Sequence, residues 1–295
     1  MKITLLGTGS PAPSLRRQSS GYVFEIAGDV IVFDHGPGAH QRLLEAGYHA
    51  TDVTHVFFTH YHYDHVMDYP RLVLTRWDHG TDGIRPLKVF GPPPLREFND
   101  RFIGPNGAFD FDIAARTESP ASLAVYAARG GEGARPRPEP ELREVSAGDV
   151  VEGEGWTIRV GPARHVQPSL NCQAYRIETL QGSVVYSGDN GGVYEPFVAF
   201  ARDCDVLIHM NHFLSGTELT EDYRLTAGSH LDVAETAKQA GARMLVLTHF
   251  RPQLDLPGVK ERMVAEMATV YPGPIVIGED LMKVPLKPGT DETAD

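Results

Sequence analysis

Four side chains that can bind a metal ion fall within six residues of this chain, at His60, His62, Asp64 and His65. They follow the apolar run 56–58, which is typical of a buried β-strand. Where a strand ends, the alternation of side chains points His60 and His62 the same way. A turn into a following helix can bring Asp64 and His65 round to face a second ion. A polar loop with solvated histidines is the simpler alternative, but this spacing favours a metal site.

Three further candidate ligands each follow a strand-like segment of the sequence. They are His165 after 156–160, Asp189 after 183–187 and His249 after 244–248. Open α/β architectures place their sites at the carboxyl ends of strands, so we expect these side chains to meet the six-residue motif. Imidazole nitrogen and carboxylate oxygen suit zinc and its first-row neighbours. Any one of the three alone would be more typical of a structural residue.

The elements that must position these residues can be predicted from apolar patterns. The predicted strands are 2–6, 21–26, 29–33, 55–59, 156–160, 172–178, 183–187 and 205–209, and the predicted helices are 38–46, 65–75 and 95–103. A further helix begins after Ser229, which can cap it while Asp232 returns a bond, and it ends at Gly241. The segment 104–142 contains Gly-rich and Pro-rich runs that predict a loop-rich insertion. It could be a surface loop or a lid over the site.

Composition predicts one compact domain over 1–286, followed by a disordered tail, 287–295. Hydrophobic residues make up 41% of the 295 positions, which is ample for a core, and no run of 18 apolar residues predicts a membrane span. We therefore expect a cytoplasmic protein. Cys172 and Cys204 are expected to be free thiols, since their spacing matches no zinc pattern. The net charge of −12 argues against a nucleic-acid partner and favours a small-molecule ester substrate. A homodimer is left open.

The ordered motifs resemble those of the metallo-β-lactamase superfamily. The residues that carry the resemblance are the run 60–65, His165, the Ser-Gly-Asp at 187–189, the Thr-His-Phe at 248–250, and the segments 5–10 and 33–36. They are most similar to the branch that holds ribonuclease Z, arylsulfatase-like enzymes and cyclic-phosphate diesterases. The resemblance implies an α/β fold, an αββα sandwich of two mixed β-sheets flanked by helices.

The resemblance also implies two divalent transition-metal ions, with zinc expected and manganese or iron as alternatives. By position, the first ion would be held by His60, His62 and His165. The second ion would be held by Asp64, His65 and His249, and Asp189 would bridge the two. Asp64 could also orient the attacking hydroxide or move its proton.

His230 is similar in position to the histidine of ribonuclease Z that serves as a proton donor, and it is our second catalytic candidate. An ordinary residue in the first turn of a helix is the alternative. The ribonuclease Z pattern places a Glu, which orients that histidine, in the run that corresponds to 208–213, and this chain has none there. Only 23 residues separate His165 from Asp189, where the tRNA-gripping arm of that family would fall. The sequence therefore predicts a small substrate rather than tRNA.

The predicted chemistry is hydrolysis of an ester by a metal-bound hydroxide. A phosphodiester is the leading substrate, an arylsulfate, a lactone or a carboxylic ester is the alternative on the same centre, and a non-catalytic scaffold or sensor is a further alternative. Asp34 follows an apolar strand and is a candidate partner for a ligand histidine, with a turn-forming role as the alternative. Tyr63, His212 and Phe250 are candidates for the pocket wall because they adjoin the motifs.

Overall fold

A computed structural model of the chain describes residues 1–81 and 84–286. Two mixed β-sheets pack face to face, and helices cover the outer face of each sheet. This arrangement confirms the predicted α/β class and the αββα sandwich. The predicted disordered tail, 287–295, lies outside the described residues.

The first sheet contains six strands in chain order. They are β1 (Lys2–Gly7), β2 (Gly21–Ile26), β3 (Asp29–His35), β4 (Val53–Phe57), β5 (Lys88–Gly91) and β6 (Glu141–Glu144). β1, β2 and β3 are antiparallel, whereas β3 to β6 run parallel to one another. The carboxyl ends of β3 and β4 therefore lie at the same edge of the sheet.

The second sheet contains seven strands, again in chain order. They are β7 (Val150–Gly153), β8 (Trp156–Pro162), β9 (Gln173–Thr179), β10 (Gly182–Tyr186), β11 (Val206–Met210), β12 (Met244–Thr248) and β13 (Ile275–Ile277). β10 to β13 are parallel, and β9 is antiparallel to both β8 and β10. β8, β10, β11 and β12 thus point the same way, which brings the segments after them to one edge.

Helices cover both outer faces of the sandwich. They are α1 (Ala39–Glu45), α2 (Tyr63–Val66), α3 (Tyr69–His79), α4 (Leu95–Ile103), α5 (Asp110–Glu118), α6 (Pro120–Ala128), α7 (Glu195–Phe200), α8 (Glu221–Thr226), α9 (His230–Ala240) and α10 (Val259–Ala268), with short 3₁₀ turns at Ala50–Asp52 and Pro252–Asp255. α1, α3 and α4 pack on the first sheet, and α7, α9 and α10 pack on the second.

The apolar runs in the sequence arise because most strands are buried on both faces. In β3, Ile31 and Phe33 point into the core between the sheets, where Phe33 stacks on Phe57. Val30 and Val32 point the other way, against the helices of the first sheet. A strand covered on both faces needs apolar residues at every position, so it reads as a continuous run without alternation.

The helix α9 begins and ends where the sequence predicts. The Ser229 hydroxyl accepts a bond of 3.3 Å from the backbone N–H of Asp232, and Gly241 ends the helix with a left-handed φ of 64°. The return bond expected from Asp232 is replaced, because its carboxylate accepts two bonds of 2.8 and 3.0 Å from Arg224. The cap of α9 is therefore tied to α8.

The segment 104–142 differs from the predicted loop-rich insertion, since it contains the helices α5 and α6. Within it, the Gly-rich and Pro-rich stretch 129–140 is irregular as expected. Arg135 anchors this stretch, because its guanidinium lies 4.0 Å from the Trp77 ring centroid and bonds to Asp78 at 2.9 Å. Helix formation at 110–128 escaped the sequence prediction because two helices of nine residues each carry a weak periodic signal.

Along the described ranges, 1–81 and 84–286, no helix is both long enough and apolar enough to cross a membrane.

Candidate metal centre

The first group of candidate ligands consists of three histidines and one carboxylate. His60 Nε2 and His165 Nε2 lie 3.0 and 3.3 Å from His62 Nδ1. Asp189 Oδ2 lies 3.5 Å from His165 Nε2 and 4.0 Å from His60 Nε2. One donor atom from each of these four side chains lies within 4.8 Å of all the others, so the group could hold one metal ion.

The second group consists of Asp64, His65 and His249. Asp64 Oδ2 lies 3.2 Å from His249 Nε2 and 3.5 Å from His65 Nε2. Asp189 reaches this group too, with Oδ1 at 3.4 Å from His65 Nε2 and Oδ2 at 3.5 Å from His249 Nε2. Asp189 therefore lies between the two groups, and the structure brings together all seven residues that the sequence singled out as ligands.

Strand ends from both sheets supply these side chains. The motif 60–65 follows β4 and enters α2, and His165, Asp189 and His249 follow β8, β10 and β12. His249 has a left-handed φ of 61°, and Asp34 near the end of β3 has a φ of 52°. Such conformations cost a residue other than glycine about 1–3 kcal/mol and are concentrated at functional sites.

Asp34 is the centre of a buried hydrogen-bond network beneath the site. Its Oδ2 atom contacts His65 Nδ1 at 2.8 Å and accepts bonds from the Thr59 hydroxyl at 2.8 Å and the Tyr186 hydroxyl at 2.6 Å. Its Oδ1 accepts the backbone N–H of Thr59 at 2.8 Å. The Thr59 hydroxyl in turn lies 3.0 Å from His60 Nδ1. Asp34 thus fixes the ring of His65 directly and that of His60 through Thr59, the partner role suggested for it from the sequence.

The rings of two candidate ligands are held from the other side by the residues that follow β11. His165 Nδ1 lies 2.5 Å from the backbone oxygen of Thr226, and His249 Nδ1 lies 3.2 Å from His212 Nδ1. The rings of His212 and His249 are 5.2 Å apart. His212, a candidate for the pocket wall, therefore contacts a candidate ligand directly.

The site favours ionised carboxylates and a neutral ring at His60, which are forms that bind metal ions, whereas the charges of Asp189, Asp64 and Asp34 outweigh burial and raise the pKa of His65 well above its usual value. Burial raises the pKa of Asp189, but the charges of His249 and His65 outweigh burial and hold the pKa well below its usual range. Burial likewise opposes ionisation of Asp64, and the charge of His65 and the contact with His249 lower its pKa overall. Burial holds the pKa of His60 well below its usual value and lowers that of His212 to about 3.

Two buried atoms show that the donor set fits a cation. His65 Nε2 and Asp189 Oδ1 face each other without a hydrogen-bond partner in the described part of the chain. Unpaired buried polar atoms are costly, and a divalent ion between them would satisfy both. Imidazole and carboxylate donors in this number suit zinc and related ions.

The remaining candidates for the pocket wall lie in different settings. Tyr63 is 52% exposed, and its hydroxyl donates a bond of 3.0 Å to the backbone oxygen of Pro11, so it lies at the rim of the site. Phe250 is fully buried beneath the guanidinium of Arg17, which lies 4.6 Å from its ring centroid. Phe250 therefore packs in the core and does not line a pocket.

The structure does not bring His230 into either ligand group. Its Nδ1 accepts the backbone N–H of Ser215 at 2.9 Å, and its Nε2 contacts Glu266 Oε2 at 2.7 Å. Glu266 lies on α10, on the outer side of the second sheet, and the His230 side chain is buried between that helix and the residues after β11. Both ring nitrogens are thus engaged in contacts within the protein.

Sequence reasoning missed Thr59, Tyr186 and Thr226. Thr59 immediately precedes His60, and Tyr186 lies on the inward face of β10 just before Asp189, so alternation along those strands offered a signal for both. Thr226 acts through its backbone oxygen, and no side-chain pattern could reveal it. Glu266 was missed as well, because it lies 36 residues beyond His230 on another helix.

Curated relatives resemble this chain along almost its whole length. The ribonuclease Z of Mycobacterium sp. (strain KMS) is 32% identical over 294 residues, which cover 98% of this chain and 97% of the relative. The ribonuclease Z of Mycobacterium bovis (strain BCG / Pasteur 1173P2) is 31% identical over 300 residues, which cover 98% and 99%.

Solved structures share the fold at lower identity. The metallo-β-lactamase fold protein YhfI from Bacillus subtilis aligns with a TM-score of 0.71 and 22% identity, covering 96% of this chain and 98% of the other. The short form of human tRNase Z aligns with a TM-score of 0.68 and 20% identity, covering 97% and 99%. These likenesses support the αββα sandwich.

The relatives overturn the prediction that nucleic acid is not a partner. They are ribonucleases, which act on RNA, and their similarity extends over 98% of this chain. The prediction was wrong because the net charge of −12 sums carboxylates over the whole surface and does not report the local field at a site holding divalent ions.

A family model supplies the last comparison. The model of the metallo-β-lactamase superfamily matches residues 15–249, a span that includes all seven candidate ligands. The chain belongs to the metallo-β-lactamase superfamily and is a metal-dependent hydrolase that acts on ester bonds.

Proposed function

We propose that this chain hydrolyses phosphodiester bonds in RNA, using two divalent metal ions. The curated relatives support RNA as the substrate class. The ribonuclease Z of Mycobacterium sp. (strain KMS) is similar to this chain over 98% of its length. The observation that carries the proposal is the position of Asp189, whose carboxylate lies 3.5 Å from His165 in one ligand group and 3.4 and 3.5 Å from His65 and His249 in the other.

The residues divide into two ligand sets in this proposal. His60, His62 and His165 would hold one ion and Asp64, His65 and His249 the other, with Asp189 in contact with both sets. When bound, such a pair of ions lowers the pKa of water and neutralises charge on phosphoryl oxygens. The protein supplies the geometry, because Asp34 fixes one ring in each set before substrate arrives.

Asp64 is the candidate for moving a proton during hydrolysis. Its carboxyl has a lowered pKa, so it is ionised at neutral pH and can accept a proton from water. One of its oxygens contacts His249 at 3.2 Å, and the carboxylate has further acceptor capacity. Asp64 is 1% exposed at the base of the site, which keeps bulk water away from that proton.

The test compares substrates and metal content in wild type and in Asp189→Ala. We expect wild type to contain two metal ions per chain and to cleave a structured RNA and bis-p-nitrophenyl phosphate. Asp189→Ala should lose metal and slow cleavage at least 10²-fold, because its loss disturbs both ligand sets. Asp112→Ala removes an exposed carboxylate from α5 and should match wild type.

Three results would contradict the proposal. A metal-free wild type that still cleaves RNA would exclude the metal mechanism. Turnover confined to p-nitrophenyl sulfate, a lactone or a carboxylic ester would exclude a phosphodiester substrate. Cleavage of bis-p-nitrophenyl phosphate without any cleavage of RNA would retain the phosphodiesterase chemistry and reject RNA as the substrate.

A further inference from the structure

The segment 211–227 joins β11 to the start of α9 and contacts one candidate ligand in each metal group. We propose that this segment is a positioning element for both ions, with His212 holding His249 and the backbone oxygen of Thr226 holding His165. The inference rests on the ligand assignment made in the proposed function. Asp34 holds ligand histidines from the first sheet, and the segment 211–227 would hold two further ligand histidines from the second sheet.

The contact between His249 and His212 has a defined direction. A neutral imidazole carries one N–H, and the nitrogen that binds a metal must be bare. His249 Nε2 faces Asp64 at 3.2 Å and Asp189 at 3.5 Å, so Nε2 is the ligand atom and the proton lies on Nδ1. That N–H donates to His212 Nδ1 at 3.2 Å, and the proton of His212 lies on its own Nε2.

His212 is itself held in place to receive this bond. Its backbone N–H donates to the oxygen of Gly228 at 2.7 Å, and its ring lies edge-on to Tyr223 with the ring centroids 6.2 Å apart. Tyr223 stacks on Phe213 at 5.2 Å. The acceptor that orients His249 is therefore fixed by its backbone and by aromatic packing.

The same reasoning applies to the first metal group. His165 Nε2 faces His62 at 3.3 Å and Asp189 at 3.5 Å, so its proton lies on Nδ1. A backbone oxygen can only accept, and the oxygen of Thr226 lies 2.5 Å from that nitrogen. Thr226 ends α8, so the position of this short helix sets the angle of the ring.

Contacts with α9 keep the segment over the site. Arg224 on α8 bonds to Asp232 of α9 at 2.8 and 3.0 Å. At the other end of the segment, the backbone N–H of Ser215 donates to His230 Nδ1, and the backbone N–H of His230 donates to the oxygen of Phe213 at 3.1 Å. His230 is thereby a support for the positioning element.

The experiment measures metal binding without using catalysis as its readout. Purified His212→Ala and His212→Asn are compared with wild type, and His79→Ala serves as a matched control because His79 is exposed at the far end of α3. Zinc content is measured by elemental analysis, zinc affinity by competition with a chelator, and the coordination geometry by the absorption spectrum of cobalt-substituted protein.

We expect His212→Ala to bind one of its two zinc ions about 10–100-fold more weakly and to change the cobalt spectrum. His212→Asn should restore much of the affinity, because its side-chain oxygen can accept the bond from His249. His79→Ala should match wild type in both measurements.

Unchanged zinc affinity and an unchanged cobalt spectrum in folded His212→Ala would overturn the inference. Equal weakening of zinc affinity in His212→Ala and His212→Asn would also overturn it, since the loss would then come from packing and not from the bond to His249. Wild type that binds two zinc ions and leaves RNA intact would contradict the proposed function alone, whereas wild type that binds no metal would contradict both.

Discussion

At the scale of single residues, His230 shows how a position can carry a different role from the one its sequence context implies. Its two ring nitrogens contact Ser215 and Glu266, at 2.9 and 2.7 Å. A proton donor needs a nitrogen that faces the leaving group, and neither nitrogen is free in this arrangement. The geometry favours a structural support over general acid catalysis.

His230→Ala should therefore slow hydrolysis of alkyl and p-nitrophenyl phosphodiesters by a similar factor. It should also lower the free energy of unfolding by about 1–3 kcal/mol, because the partly buried N–H of Ser215 loses its acceptor. Parallel kinetics on the two leaving groups and thermal denaturation measure these effects. A selective loss on alkyl leaving groups would restore the acid role predicted from the sequence. Glu266→Gln keeps an acceptor for Nε2 and should stay close to wild type.

The buried pair of His35 and His40 predicts a pH dependence of stability. Burial, with smaller contributions from the charges of His40 and Arg71, lowers the pKa of His35 to about 3. The unfolded chain takes up a proton near pH 6.5 and the folded protein does not, so the stability from this residue is complete above pH 6.5 and is lost as the pH falls towards 3. Within that window, His35→Leu should flatten the slope of unfolding free energy against pH by up to about 1.4 kcal/mol per unit.

Thermal melts at pH 7, 6, 5 and 4 test this, with His79→Ala as the control because that residue is exposed. Identical slopes of stability against pH in wild type and His35→Leu would show that the depressed pKa of His35 does not contribute to the pH dependence.

At the scale of elements, the stretch 129–140 is anchored far from the metal centre. Arg135 in this stretch contacts Trp77 and Asp78, at the carboxyl end of α3, and Arg137 bonds to Asp110 at the start of α5, whereas the amino end of α3 follows the metal motif. An 11-residue helix is about 16 Å long, so the anchor lies that far along α3 from the motif. This placement favours the surface-loop interpretation over the lid.

Arg135→Ala should thus affect stability and leave catalysis alone. The guanidinium lies between Trp77 and Tyr126, at 4.0 and 5.3 Å from their centroids, and its loss should lower the unfolding free energy by about 1–2 kcal/mol. Asp78 keeps Arg116 and Arg129 as partners, which limits the loss of unfolding free energy. Chemical denaturation and steady-state kinetics are the measurements. A changed KM would favour the lid interpretation of 104–142 over the surface loop.

The layers of the fold and the clustering of the candidate ligands could be predicted from sequence because both leave local signatures. Buried strands read as apolar runs, and the candidate ligands of the motif 60–65 lie within six consecutive residues. Contacts between distant elements left no such signature. The bond of Tyr186 to Asp34 joins the two sheets, and that of Thr226 to His165 uses a backbone atom, so only the folded chain reveals them.

At the scale of the whole molecule, the proposed metal centre connects the two sheets. His60, His62, Asp64 and His65 follow a strand of the first sheet, whereas His165, Asp189 and His249 follow strands of the second. Ions shared by both sets would bind the folded sandwich and not the unfolded chain. Metal binding should therefore contribute directly to stability.

Removal of metal with a chelator should lower the free energy of unfolding by about 3 kcal/mol for each ion present at 100 times its Kd. Differential scanning fluorimetry with and without EDTA measures the change, and added zinc should reverse it. Asp189→Ala provides the control, since a protein that no longer holds metal should not respond to EDTA. A wild type whose Tm is the same with and without its metal would contradict a connection between the sheets.

Because the backbone at His249 is left-handed, selection for folding and selection for activity favour different residues at this position. In a saturation library at this position, sorting metal-free protein for folding alone should enrich Gly and Asn, because these residues adopt positive φ at the lowest cost. Sorting for phosphodiesterase activity should retain His alone. A lineage released from catalysis would then be expected to lose this histidine early, by drift towards the residue that the backbone prefers.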